Sequence, residues 1–166
     1  MKLILILFIG ISINSFSQNI NTKIFDQKFN DSLLVGKCNI SAFKTAPYDE
    51  WFFNEYNNYT PNDSILQLIK NNINDIKITI ILGIWCSDSR REFPRFIKIL
   101  DLINYDMNML NVICVNSKKE SIYVNIKEYN IELIPTFIFT KDNNEIGRII
   151  ESPKKSLEED FLNLIF

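Results

Sequence analysis

The sequence predicts an α/β fold in which strands and helices alternate around a mixed sheet. Three observations predict it. Residues 76–84, IKITIILGI, are almost continuously apolar and β-branched, as in a strand covered on both faces. A helix-period stretch follows, with Phe93, Phe96, Ile97 and Leu100 on its inner side. Further on, NVICVN at 111–116 reads as a second buried strand, and residues 136–140 and 145–150 as an antiparallel pair across an Asp-Asn-Asn turn.

Composition limits the function classes. The chain has 166 residues, enough for one domain with a modest extension. Hydrophobic residues make up 46% and include 13 phenylalanines, which excludes a disordered chain. A net charge of −2 gives no reason to expect nucleic acid or an anionic membrane surface as partner. Histidine is absent, which removes Cys-His and Ser-His-Asp catalysis and most zinc sites. The sequence shows no metal or organic cofactor site.

The elements follow in order. Residues 1–17 read as a signal peptide: Lys2 is the positive start, residues 3–13 the apolar run, and Ser15-Phe16-Ser17 a small-x-small cleavage pattern before Gln18. The apolar run is short of the ~20 residues needed to span a bilayer. The mature chain is thus expected to be exported, periplasmic or secreted, in an oxidising compartment and free of the membrane after cleavage. Residues 18–75 form an N-terminal extension with an edge strand and two helices. Within it, residues 18–31 are polar and without a period, a mobile lead-in. SLLVGKCN at 32–39 suits the edge strand, with Gly36 marking a bulge or turn. PYDEWFFNEYNNY at 47–59 suits a helix: Pro47 belongs in a first turn, Asp49 and Glu50 favour its positive end, and Trp51, Phe52, Phe53 and Tyr56 form an aromatic stripe expected to be core. Thr60-Pro61-Asn62-Asp63 ends that helix and caps a second, with Ile65, Leu66, Leu68, Ile69 and Ile73 at helical spacing. Residues 76–166 form the main domain. In it residues 89–105 are a helix that Pro94 should kink, 118–129 a weak polar helix or loop, and Ser152-Pro153 opens a terminal helix bearing Leu157, Phe161, Leu162 and Ile165.

The chemistry concentrates where the first strand of the main domain meets its helix, at Trp85-Cys86-Ser87-Asp88-Ser89. N–H groups in a first helical turn lack intrahelical partners and the macrodipole is positive there, so a thiol at that point is better tolerated as the reactive thiolate. Asp88 works against this, and Arg90 and Arg91 can offset it. A buried, inert cysteine is the plainer alternative.

Trp-Cys-x-x-[Cys/Ser] between a hydrophobic strand and a helix resembles the active-site segment of the thioredoxin-like superfamily. Pro94 falls where those proteins carry a helix-kinking proline. Ile134-Pro135-Thr136 resembles their cis-proline loop, and residues 141–148 their following hairpin. More narrowly, WCSDSRREFP is similar to the W-C-x-D-S-[KR]-R-E-x-P pattern of exported Bacteroidetes-type thioredoxin-family proteins. The resemblance implies a thioredoxin-like three-layer α/β/α sandwich over residues 76–166. It also implies Cys86 as nucleophile, Ser89 as its helper, and Trp85, Ile134, Pro135 and Thr136 as the substrate-binding groove, acting on protein or small-molecule thiols and disulfides.

Two departures from the family pattern matter. Ser89 replaces the second cysteine, and Ile80 occupies the place of a buried acid. Exchange would stall at the mixed disulfide until an outside thiol attacks, the logic of a monothiol oxidoreductase. The alternative is a non-catalytic thioredoxin-fold module that binds peptides or proteins. Cys114 reads as inert core. Cys38 is either a distant resolving cysteine for Cys86 or a semi-buried thiol on an edge strand.

Overall fold

The computed structural model describes residues 19–166, so the expected signal peptide at 1–17 lies outside the described residues. The chain enters as a hairpin, β1 (Lys23–Asp26) paired antiparallel with β2 (Asp31–Leu34). Residues 18–31 were expected to be a mobile lead-in, and this hairpin corrects that. Its strands are too short to show a period, and its turn is fixed by an acceptor: Asp26 Oδ1 accepts from the N–H groups of Lys28 (2.9 Å) and Phe29 (3.4 Å).

After Val35 the chain changes sheets. Gly36 has φ +99°, a conformation that favours glycine, and opens β3 (Gly36–Cys38) on the edge of the main sheet. Two helices follow, α1 (Asp49–Asn58) and α2 (Asp63–Asn72). Pro47 precedes the cap residue Tyr48 instead of entering the first turn. Asn62 caps α2, its side chain accepting from the Ser64 and Ile65 N–H groups.

Next come β4 (Ile76–Leu82), α3 (Ser87–Leu102), β5 (Leu110–Cys114), β6 (Thr136–Lys141), β7 (Asn144–Ile150) and α4 (Leu157–Ile165). Among the described residues the main sheet has five strands in the order β3-β5-β4-β6-β7. β4 runs parallel to β5 and antiparallel to β6, and the outer pairs are antiparallel, so the sheet is mixed. The β6–β7 connection is tight because Asp142 and Asn143 both take positive φ, the pattern of a type I′ turn. This is the α/β thioredoxin-like architecture.

The two faces of the sheet are covered unequally. Ile76, Ile78, Ile80 and Leu82 of β4 point to the face carrying the helices, and form one core with Phe52, Leu66, Phe93, Phe96, Phe137 and Phe161. The aromatic stripe of α1 is part of this core: Phe52 is fully buried between Phe53, Tyr56 and Phe93, while Phe53 is exposed. On the opposite face Ile81, Ile113, Val115, Ile134 and Ile138 make a smaller cluster. The cover there is the segment 116–135, which holds one 3-10 turn (Ile126–Tyr129) where the sequence left helix or loop open. Lys77 is exposed and Thr79 half-buried on this face, so β4 is sealed on both sides only toward its C-terminal end.

The terminal helix begins at Leu157, four residues after Pro153, because Ser156 supplies the cap and accepts from the Glu159 N–H (3.2 Å). Its first turn also carries Glu158, a buried carboxylate that accepts from the Tyr59 hydroxyl (2.6 Å) and the Asn62 N–H (3.1 Å). Burial alone would raise the Glu158 pKa, but these hydrogen bonds outweigh it and hold the carboxylate below its ordinary value. A lowered folded-state pKa stabilises above the unfolded value of about 4.3, and that stabilisation is lost as pH falls through the folded value. Glu158→Gln should therefore be less stable than wild type at pH ~7 and lose less stability on acidification to pH ~3. Urea denaturation at both pH values checks this, and equal acid sensitivity of the two proteins would refute it. Among the described residues, no helix is long and apolar enough to cross a membrane.

Candidate functional site

The site is built where β4 ends. Gly83 and Ile84 are buried, Trp85 and Cys86 half-buried, and Cys86 is the cap residue of α3 with φ −90° and ψ 127°. The sequence folds this way because the apolar run stops at Ile84 and SDSRRE supplies a polar first turn. The Cys86 thiol donates to the carbonyl of Ile134 (3.4 Å), the residue before Pro135, and the Ile134–Pro135 bond is cis. Strand end, helix start and loop thus converge on one sulfur.

Gly83 permits the convergence. A Cβ there would lie 2.7 Å from the Trp85 ring and 2.9 Å from Ile134 Cδ1. The Trp85 ring lies against the strand end and donates through Nε1 to the Val115 carbonyl (3.1 Å). Ile134 and Thr136 are buried, and the Thr136 hydroxyl donates to the Leu133 carbonyl (2.7 Å), which closes the loop ahead of β6.

Ser89 is fully buried one turn into α3, and its hydroxyl oxygen accepts from the Gly83 N–H (3.3 Å). That contact ties the helix start to the strand end, which gives Ser89 a positioning role. The charge of Asp88 is met by Arg91, whose guanidinium lies 2.7 Å from the carboxylate and also donates to Ser152 Oγ (2.9 Å). Arg90 donates through Nε to the Ile84 carbonyl (2.5 Å), which is the C-terminal end of the strand run. Both arginines thus make a bond at the site, although Arg90 remains exposed overall.

Cys38 lies elsewhere. It is buried on the helical face, paired in register with Val112, and its thiol donates to the Gly36 carbonyl (3.7 Å). Its sulfur neighbour is Cys114, which is fully buried and whose thiol is pushed well above its ordinary pKa by burial and by the hydrogen bond with Cys38. The structure brings together Trp85, Cys86, Ser89, Ile134, Pro135 and Thr136; Cys38 is placed with Cys114 and not with Cys86. All three cysteines are free thiols.

Sequence reasoning missed Phe29. The tip of the β1–β2 hairpin reaches this site, and the Phe29 ring stacks on Trp85 with centroids 5.3 Å apart and planes at 25°. Asp26 Oδ2 fixes the tip by accepting from the Ser117 N–H (3.0 Å). That bond, with those from Lys28 and Phe29, lowers the Asp26 pKa against the opposing effect of burial. The available signal was the spacing of two short apolar pairs, Ile24-Phe25 and Leu33-Leu34, about an Asp-rich turn. A cleft of about 940 Å³ opens along the segment 118–132, lined by Lys118, Lys119, Lys127 and Glu132 among others; Trp85, Cys86, Ser89, Ile134, Pro135 and Thr136 do not line it.

No family model matches the chain. Thioredoxin H5 of Oryza sativa subsp. japonica is 26% identical over 89 residues, which is 52% of this chain. The chain spans 62% of the length of that relative. Among solved structures, a protein of unknown function from Pseudomonas aeruginosa, PA1234, superposes with a TM-score of 0.57 at 14% identity, covering 78% of this chain and 92% of its own. An HIV epitope-scaffold superposes with a TM-score of 0.56 at 13% identity and the same coverage of both chains. At these identities the likeness is one of fold.

Proposed function

We propose that this chain is an exported thiol–disulfide oxidoreductase of monothiol type, acting through Cys86 on protein or small-molecule disulfides. The observation that carries the reading is the position of Cys86. It is a half-exposed thiol at the cap of α3, next to the Ile134 carbonyl, with a serine instead of a second cysteine one turn on. Two things support it further: the partial match to a rice thioredoxin, and the resemblance of WCSDSRREFP to the pattern of exported members of that superfamily. Export itself rests on the residue pattern at 1–17.

In the first step the Cys86 thiolate attacks one sulfur of the substrate disulfide. A bond forms between Cys86 and that sulfur, the substrate S–S bond breaks, and the other substrate sulfur leaves as a thiolate. Before attack the Cys86 thiol donates to the Ile134 carbonyl (3.4 Å) at the cap of α3, and the attacking species is the thiolate formed when that proton leaves. Ser89 cannot complete a dithiol cycle, so an external low-molecular-weight thiol attacks the Cys86 sulfur and expels the substrate thiolate, leaving Cys86 bonded to that thiol; a second external thiolate then attacks this bond, forms the external disulfide and frees the Cys86 thiolate. Of the residues expected to line the groove, the half-buried Trp85 is the one a substrate can lie against, while Ile134, Pro135 and Thr136 are buried behind the thiol.

Treatment of the native protein with an aromatic nitrobenzoate disulfide tests this. The expected result is one adduct, mapped to Cys86 by mass spectrometry and stable until glutathione is added, with Cys38 and Cys114 unmodified until denaturation. Cys86 reacting no faster than the buried pair would overturn the reading. The module that binds without exchange would then be the better account, and its mark is partner capture that survives Cys86→Ser and added reductant.

A further inference from the structure

The β1–β2 hairpin is not needed to complete the main sheet, yet its tip is held at the site by bonds that serve no strand. Asp26 accepts from three N–H groups, two within the tip and one from Ser117 on the segment that leads to Ile134. The consequence is that Phe29 lies stacked on Trp85, the residue directly before Cys86. A stack of this kind normally ends buried. Here Phe29 keeps 39% of its surface exposed, and Trp85 is only half-buried. The pair therefore presents a continuous apolar face to solvent beside the reactive thiol. The Lys28 ammonium lies 5.5 Å from the Phe29 ring centroid, a cation–π contact that helps hold the ring. The Asp88 carboxylate, which would repel an acidic substrate, is neutralised by Arg91.

We propose that Phe29 and Trp85 form a shelf that selects the substrate of Cys86: a polypeptide disulfide carrying an apolar or aromatic side chain next to the attacked cysteine. Asp26 is a positioning residue that acts through Phe29. The inference rests on the reading of Cys86 as a nucleophile, and specifies its substrate class. An aromatic ring flanking the substrate cysteine packs on the shelf and adds contact on the order of 1 kcal/mol, which corresponds to roughly 5–10-fold in kcat/KM. A small charged disulfide such as oxidised glutathione brings no such side chain and gains nothing from it.

The test uses two short peptides that differ only in the residue before the cysteine, phenylalanine or glycine, each activated as a mixed disulfide with nitrothiobenzoate. Release of the chromophore gives kcat/KM for each. Wild type should prefer the phenylalanine peptide by roughly 5–10-fold, and Phe29→Ala should bring that ratio close to one. Phe29→Leu should keep part of it, and Asp26→Asn should lower it by loosening the tip. Circular dichroism melting confirms that each variant is folded. A ratio that survives Phe29→Ala, or a wild-type ratio of one, overturns the shelf. So does an equal rise in both rates, which would make Phe29 a cover. Failure of the underlying reading looks different: neither peptide would then react at Cys86, and Cys86→Ser would match wild type.

Discussion

Ser89→Cys is expected to turn a stalled adduct into a completed dithiol cycle. In the wild-type protein, attack by Cys86 on an aromatic disulfide releases one aryl thiolate and leaves the second aryl group bound to the sulfur. Residue 89 is one helical turn from Cys86, and its side chain points back to the strand end, where Ser89 now contacts the Gly83 N–H at 3.3 Å. A thiolate placed there attacks the Cys86 sulfur, forms an internal disulfide and expels the second aryl thiolate, so two are released per protein instead of one. Because the second step becomes intramolecular, its rate should exceed that with ~1 mM external thiol by on the order of 10³-fold or more. Stopped-flow absorbance of the released chromophore measures both stoichiometry and rate. A single equivalent from Ser89→Cys would mean that a sulfur in the buried position of Ser89 cannot reach Cys86.

Phe96→Ala is expected to remove a large share of the stability of the fold. Phe96 is fully buried on α3, with ring centroids 4.7 Å from Phe137, 6.0 Å from Phe139 and 5.7 Å from Phe161. It joins three elements: the helix that presents Cys86, the strand that follows Pro135, and the terminal helix. Truncating such a ring costs about 3–5 kcal/mol, because transfer energy is lost and the surrounding rings only partly close the cavity. Against the ~5–15 kcal/mol typical of a domain, that is a major fraction. Urea denaturation should show a lower midpoint with little change in slope. A loss under ~1 kcal/mol would mean that Phe137, Phe139 and Phe161 repack into the space.

The run from β4 into α3 and the β6–β7 hairpin were legible because each carries a local signal. The apolar run at 76–84, the amphipathic helix after it and the Asp-Asn turn at 142–143 all have a period or a turn residue that one sequence displays. The grouping of Trp85, Cys86, Ile134 and Pro135 was legible only through the family resemblance, since 48 residues separate Cys86 from the Ile134 carbonyl it contacts. Three features were not readable. The placement of the 23–34 hairpin at the site depends on a long-range bond, from the Ser117 N–H to Asp26 Oδ2, that its two short apolar pairs do not signal. Cys38 sits beside Cys114 because β3 pairs with β5 in one particular register, and register is set by tertiary contacts. The start of α4 was misplaced because Ser152-Pro153 imitates a helix start, while the cap is Ser156 with Glu159 three residues on.

The unequal covering of the sheet gives the site two mechanical halves. Cys86 is mounted on α3, whose inner residues are packed to zero exposure and whose amides are locked in helical bonds. Its counterpart, Ile134, hangs from a segment that joins no strand ladder and is held by isolated turns and by side-chain contacts such as Arg148 Nη1 to the Tyr129 carbonyl (3.0 Å). Local opening costs least where buried contacts and regular backbone bonds are few. Opening of the segment before Ile134 is therefore expected to cost less than opening of α3, while Ile134 itself stays buried just ahead of β6, where the Pro135 carbonyl accepts from the Glu151 N–H (2.7 Å).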